Sequence, residues 1–198
     1  FFRLLMLHKL YYWIMSFAGH RHALWVLAIV SFAESSFFPI PPDPLYMAMI
    51  LGNREKAWSL ATICTLSSVI GGILGYYIGY GLFETFGAWI VDAYGLQESF
   101  VQLQHSFQKW GFWIVALKGL TPIPYKIVTI TSGVAELNLG TFILASIVAR
   151  GFRFFSLALL LWHFGPHIKN YIEKNLLLVT IGGFSILILG FLAIKYLW

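Results

Sequence analysis

The stretch FAESSFFPIPPDPLYMA, residues 32–48, sets two acidic side chains, Glu34 and Asp43, and four prolines inside an otherwise apolar run. Proline has no amide proton to give to an α-helical ladder and its ring clashes with the preceding turn, so Pro39, Pro41, Pro42 and Pro44 break any helix there. The apolar pieces on either side, 23–33 and 45–51, are too short to cross a hydrocarbon layer, which takes about 20 helical residues. Unpaired backbone is tolerated at membrane depth only where protein or a water-filled cavity covers it. The stretch therefore predicts a re-entrant hairpin.

The membrane setting follows from composition. Of 198 residues, 59% are hydrophobic and 11% charged, where a soluble domain carries about 25% charged residues. The net charge of +5 comes from 13 Lys and Arg, but these lie singly between apolar runs. They read as topology signals and site residues, not as a nucleic-acid surface. Cys64 is the only cysteine, so a disulfide framework and a Cys-based zinc site are both excluded. Residues 57–83 and 176–194 are uncharged and long enough to span, and residues 137–165 are long enough but carry Arg150 and Arg153.

A second broken region matches the first. Pro122 and Pro124 repeat the Pro-x-Pro of Pro39 and Pro41, between apolar pieces 112–117 and 127–135, and each region is followed by a complete span. Short, Pro-interrupted apolar segments in matching positions of two halves point to an inverted repeat with a binding site between the breaks. The expected fold is thus an all-α polytopic membrane protein: residues 1–22 an interfacial amphipathic helix, 23–83 a hairpin-plus-helix repeat, 84–110 an extramembrane connector, 111–165 the second repeat, and 176–198 a C-terminal transmembrane helix. Lys and Arg collect on cytoplasmic loops. With both hairpins returning to their own side, Arg3, Lys9, Arg21, Arg54, Lys56, Lys169 and Lys174 share one face, against Lys109 and Lys195 on the other.

The charged residues at the breaks are the candidate site. An intramembrane acid such as Glu34 costs about 2.5–3.5 kcal/mol on insertion scales and marks a site or a proton path. Asp43-Pro44 and Thr121-Pro122 each read as an N-cap followed by a first-turn proline, and the amides of such a helix start attract anions. Lys118 and Lys126 bracket the second break as Glu34 and Asp43 bracket the first. Arg150 and Arg153, three apart, share a helix face that should look into the bundle. Gly71 or Gly72, Gly75 and Gly79 form a small-residue stripe for close helix packing against a hairpin. His163 and His167 have helical metal-ligand spacing but lack an acid or cysteine nearby, and no nucleophile motif occurs. No metal, cofactor or enzymatic chemistry is expected.

Taken in order, ESSFFPIPPDP, GGILGYYIG, KGLTPIPYKIVTITSG and ARGFRFF resemble the DedA family, also called SNARE-associated or VTT-domain proteins, and within it the YqaA-like branch. The resemblance covers about residues 23–165. It implies a multi-pass protein of the bacterial inner membrane with two opposed re-entrant hairpins, and relatives that move phospholipid or undecaprenyl phosphate between leaflets. It places the required acids on Glu34 and Asp43, and puts Lys118 and Lys126 where the common family pattern has arginines. The resulting expectation is a flippase or scramblase for lipid phosphates, with proton coupling open. Substrate binding or proton coupling falls to Glu34, Asp43, Lys118, Lys126, Arg150 and Arg153, and the partners are membrane lipids, with homo-oligomerisation open. The alternatives are a small-ion or proton-coupled secondary transporter and a non-transporting membrane assembly protein.

Overall fold

The computed structural model describes residues 20, 22–38, 41–95, 97–119 and 124–174; the expected N-terminal interfacial helix and the C-terminal span fall almost wholly outside them. In chain order the elements are α1 (Ala23–Ser36), α2 (Asp43–Gly52), a 3-10 turn (Arg54–Lys56), α3 (Ala57–Leu82), a π-turn (Phe83–Gly87), α4 (Ala88–Ala93), α5 (Gln97–Lys118), α6 (Tyr125–Val134) and α7 (Leu139–Lys174). The described residues contain no strand. Among the described residues two helical stretches, Arg54–Thr85 and Leu139–Gly165, are long and apolar enough to cross a bilayer.

Helices end at Ser36 and Lys118 and restart at Asp43 and Tyr125, on either side of the two proline runs. α1 stops at Ser36, whose hydroxyl donates back to the carbonyls of Phe32 at 2.9 Å and Ala33 at 3.2 Å. The Ala33 carbonyl also accepts the amides of Phe37 and Phe38, so the last turn is closed before the proline run begins. α2 restarts at Asp43 with Pro42 at the N-cap, and α6 starts at Tyr125 with Pro124 at the N-cap. Neither helix begins as the sequence predicts. Asp43 is the first helical residue and its side chain caps no amide, because the carboxylate is drawn to an arginine on α7. Thr121 and Pro122 lie outside the described residues, and the α6 start falls beyond them at Tyr125.

The stretch read as a connector, 84–110, is itself mostly helical: it holds the π-turn, α4 and the first half of α5. The arm before the second break is consequently longer, at 22 residues, than the 14-residue arm before the first. α6 ends with Glu136 in the left-handed region, φ 54°, where the amides of Glu136 and Leu137 return to the carbonyls of Gly133 and Ser132. This closure satisfies carbonyls that have no partner further along the helix. Tyr76 Oη then pins the turn by donating to the Leu137 carbonyl at 2.6 Å.

α3 and α7 form the central pair, and the broken units pack on opposite ends of it. Ala23, Leu27, Tyr46, Ile50, Leu60, Phe154 and Leu161 make one apolar core, and Tyr76, Phe107, Val115, Tyr125, Val128, Leu137 and Phe142 make the other. The glycine stripe fixes both. A Cβ on Gly71 would overlap the Phe32 carbonyl of α1, one on Gly79 the Ile130 carbonyl of α6, and one on Gly133 the Tyr76 carbonyl of α3. These contacts are backbone to backbone, so a side chain there has no room to yield. We expect Gly79→Leu to abolish the monodisperse peak of detergent-purified protein in size-exclusion chromatography. Gly81→Leu, at a glycine with open space around it, should leave the peak unchanged.

Candidate functional site

Between the two cores, near the middle of both long helices, lies a cluster of charge. Arg150 is about 17 Å of helix from the start of α7, and Ser68 about 17 Å from the start of α3, at 1.5 Å per residue. They touch: Arg150 Nε donates to Ser68 Oγ at 2.5 Å. Arg150 Nη2 meets Glu34 Oε2 at 2.8 Å, and the guanidinium lies between the rings of Tyr125, 4.7 Å from the centroid, and Phe154, at 4.9 Å. With its side chain 1% exposed, Arg150 is sealed.

The hydrogens of this cluster can be placed by elimination. A guanidinium only donates and an ionised carboxylate only accepts. Ser68 therefore receives from Arg150 and passes its own proton toward Ser35 Oγ at 2.6 Å, and Ser35 donates to Glu34 Oε2 at 3.2 Å. The result is a ring, Arg150 to Ser68 to Ser35 to Glu34, closed by the direct ion pair between Glu34 and Arg150. Tyr125 brings the second broken unit into the same cluster and is itself held by Ser146 Oγ at 2.6 Å. Thr129 Oγ1, one turn further along α6, donates to the Ser35 carbonyl at 3.1 Å. The two breaks thus meet at Arg150.

A second pair lies one helical turn away. Arg153 Nη2 contacts Asp43 Oδ2 at 2.6 Å, with side chains 36% and 25% exposed. Two polar atoms of the cluster are buried with no partner, Asp43 Oδ1 and Arg150 Nη1. An unpaired buried acceptor and donor are costly, about 1–3 kcal/mol each and more for charged groups.

Of the six charged residues expected at the site, the structure joins four as two pairs, Glu34 with Arg150 and Asp43 with Arg153. Lys118 closes α5 and Lys126 lies in the first turn of α6, flanking the second break, both half-buried. The bases that answer the two acids are the α7 arginines. Among the break prolines, Pro41, Pro42, Pro44 and Pro124 fall in or beside the described breaks, while Pro39 and Pro122 lie outside the described residues. Sequence reasoning passed over Ser35, Ser68 and Tyr125. The serines did leave a trace: Ser31 and Ser35 on α1 and Cys64 and Ser68 on α3 repeat a four-residue spacing of small side chains, and Ser31 Oγ bonds the Cys64 carbonyl at 2.9 Å. Among the described residues no group of three or more His, Cys, Asp or Glu could hold a metal ion.

The VTT domain family model matches residues 38–163, from the first break to the far part of α7. The chain belongs to the VTT-domain, or DedA, family. An uncharacterized protein of Haemophilus influenzae is 33% identical over 90% of this chain and 91% of its own length. Another from Histophilus somni is 34% identical over 71% and 73%, and one from the archaeon Methanocaldococcus jannaschii is 26% identical over 62% and 73%. No solved structure matches the chain. This VTT domain belongs to a family of membrane proteins associated with transport, and the two long apolar helices among its described residues agree with a membrane setting.

Breaking a buried pair by removing one partner leaves an uncompensated charge and costs about 3–5 kcal/mol, whereas replacing both partners with apolar groups is often near neutral. We expect Arg150→Met to lower the melting temperature of the purified protein sharply. Adding Glu34→Leu should restore part of that loss, giving a favourable coupling in a double-mutant cycle read by thermal unfolding.

Proposed function

We propose that this VTT domain carries lipid phosphates, phospholipid or a polyprenyl phosphate such as undecaprenyl phosphate, across the bacterial inner membrane, the headgroup passing through the polar cluster while the tails stay in lipid. In this reading the two broken units are re-entrant hairpins entering from opposite leaflets. The process is carriage with no covalent step. The observation that supports it is the contrast between the two arginines. Arg150 is wrapped by Glu34, Ser68, Tyr125 and Phe154 and keeps the breaks together. Arg153 is partly exposed and tied to one carboxylate, which has a free oxygen.

A phosphate entering at Arg153 competes with Asp43 for the same guanidinium. Arginine's planar fork suits phosphate oxygens as well as carboxylate oxygens, so exchange loses little at the cation. Lys118 and Lys126, at the second break, supply positive charge for the far half of the passage, as compact cations that hold phosphate without a bidentate grip.

The test uses proteoliposomes containing the full chain and a panel of labelled phospholipids and polyprenyl phosphates at several pH values. Arg153→Gln and Asp43→Asn should each slow the transported lipid by tenfold or more, on the order of a lost charge-assisted hydrogen bond, with the chromatographic profile unchanged. Vesicles with wild-type protein that move none of these lipids faster than empty vesicles would refute the reading.

A further inference from the structure

α2 carries Asp43 at its first residue and ends at Gly52, so the seam between α2 and α7 runs from the ion pair to one end of the helices. There Gly52, Asn53, Arg54, Glu55, Trp162 and His163 line an open bowl of about 660 Å³, within the size of small-ligand sites. We propose that this bowl binds the headgroup of an anionic phospholipid, separately from the Arg153–Asp43 pair.

Three observations converge on it. First, Arg54 is fixed in the bowl. It reaches across to α7, donating from Nη1 to the Trp162 carbonyl at 3.3 Å, and its stem lies against Gly165. A guanidinium has five N–H donors, and the described residues take up this one. Asn53 Oδ1 accepts the Glu55 amide at 3.1 Å, which sets the turn that presents Arg54 and Lys56. Arg54 and Glu55 line the bowl, and Lys56, exposed at the end of the same turn, gives that turn two cations against one carboxylate.

Second, aromatic rings gather at the same end. Trp58 lies 6.1 Å from Phe155 and 6.4 Å from Trp162, centroid to centroid, and both indoles are exposed. Tryptophans in this position mark the headgroup layer of a bilayer, which is where basic residues at the ends of spanning helices meet lipid phosphates. Third, an exposed apolar stripe descends from the bowl. Phe152, Phe155 and Leu159 are exposed and follow helical spacing along one face of α7 toward Trp162, a surface for acyl chains below a phosphate held at Arg54. A dissolved phosphate would use the cation alone and gain nothing from the rings and the stripe. The excess positive charge of the Arg54–Lys56 turn selects an anionic lipid over a zwitterionic one.

The inference does not depend on transport. It is tested on the full chain in detergent, with phosphatidylglycerol, phosphatidylcholine and inorganic phosphate titrated separately. Retained lipid is read by native mass spectrometry and stabilisation by melting temperature. With the ion-pair site removed by Arg153→Gln, phosphatidylglycerol should stabilise the protein, and the other two should not. Arg54→Gln should weaken phosphatidylglycerol about tenfold, while Arg153→Gln leaves it bound. Gly165→Val keeps every charge and crowds Arg54 off α7, and it should also weaken binding. Equal stabilisation by phosphatidylcholine or inorganic phosphate overturns the proposal. So does unchanged affinity in both Arg54→Gln and Gly165→Val, or loss confined to Arg153→Gln, which would place the lipid at the ion pair instead.

Discussion

A fully buried guanidinium is the constraint around which this structure is arranged. Removing a cation from water costs several kcal/mol even after relaxation, and only close countercharge and well-formed hydrogen bonds offset it. Arg150 has Glu34 at 2.8 Å, Ser68 at 2.5 Å and two aromatic faces. Each partner comes from a different part of the chain: α1, α3, α6 and the next turn of α7. Meeting the needs of one side chain therefore positions both breaks against both long helices. The polar ring is a condition of assembly as much as a site.

Backbone proximity makes that arrangement reachable. Hydrogen bonds of 2.5–2.8 Å across three helices require helix axes closer than large side chains permit, and the glycines of α3 supply the approach. Gly71 faces α1 and Gly79 faces α6, two turns apart on one stripe, so a single helix face receives both broken units. The polar residues lie between the two apolar cores. Packing holds the ends of the bundle, and hydrogen bonds hold its middle, where the breaks leave backbone groups that need partners.

The two ion pairs are alike in composition and different in environment. Arg150–Glu34 is closed off by neighbours, so its rupture would expose an unpaired charge in a medium of low dielectric. Arg153–Asp43 has side chains 36% and 25% exposed, where water moderates the attraction and its loss is easier to bear. A sealed pair beside an exchangeable one is a workable layout for an anion passage, since the first keeps the breaks registered while the second opens. The unpaired oxygen of Asp43 lies at the exchangeable one.

Much of this was legible in the chain itself. The prolines at 39–44 and 122–124 dictate where helices cannot continue, because a missing amide proton is a local fact. The scarcity of charge dictates the solvent, and the spacing of Gly71, Gly75 and Gly79 announces a close contact. The ordered motifs also sufficed to recognise the VTT family. The partners of Glu34 and Asp43 were another matter. Lys118 and Lys126 bracket the second break in sequence just as the acids bracket the first, yet the acids are met by Arg150 and Arg153, more than a hundred residues away along the chain. Asp43 likewise had the local signature of a helix cap and serves as an ion-pair partner. Proline and glycine act through their own backbone geometry, which the sequence carries with it. The choice of which cation a buried carboxylate meets depends on which helices come within 3 Å, and only packing of the whole bundle decides that.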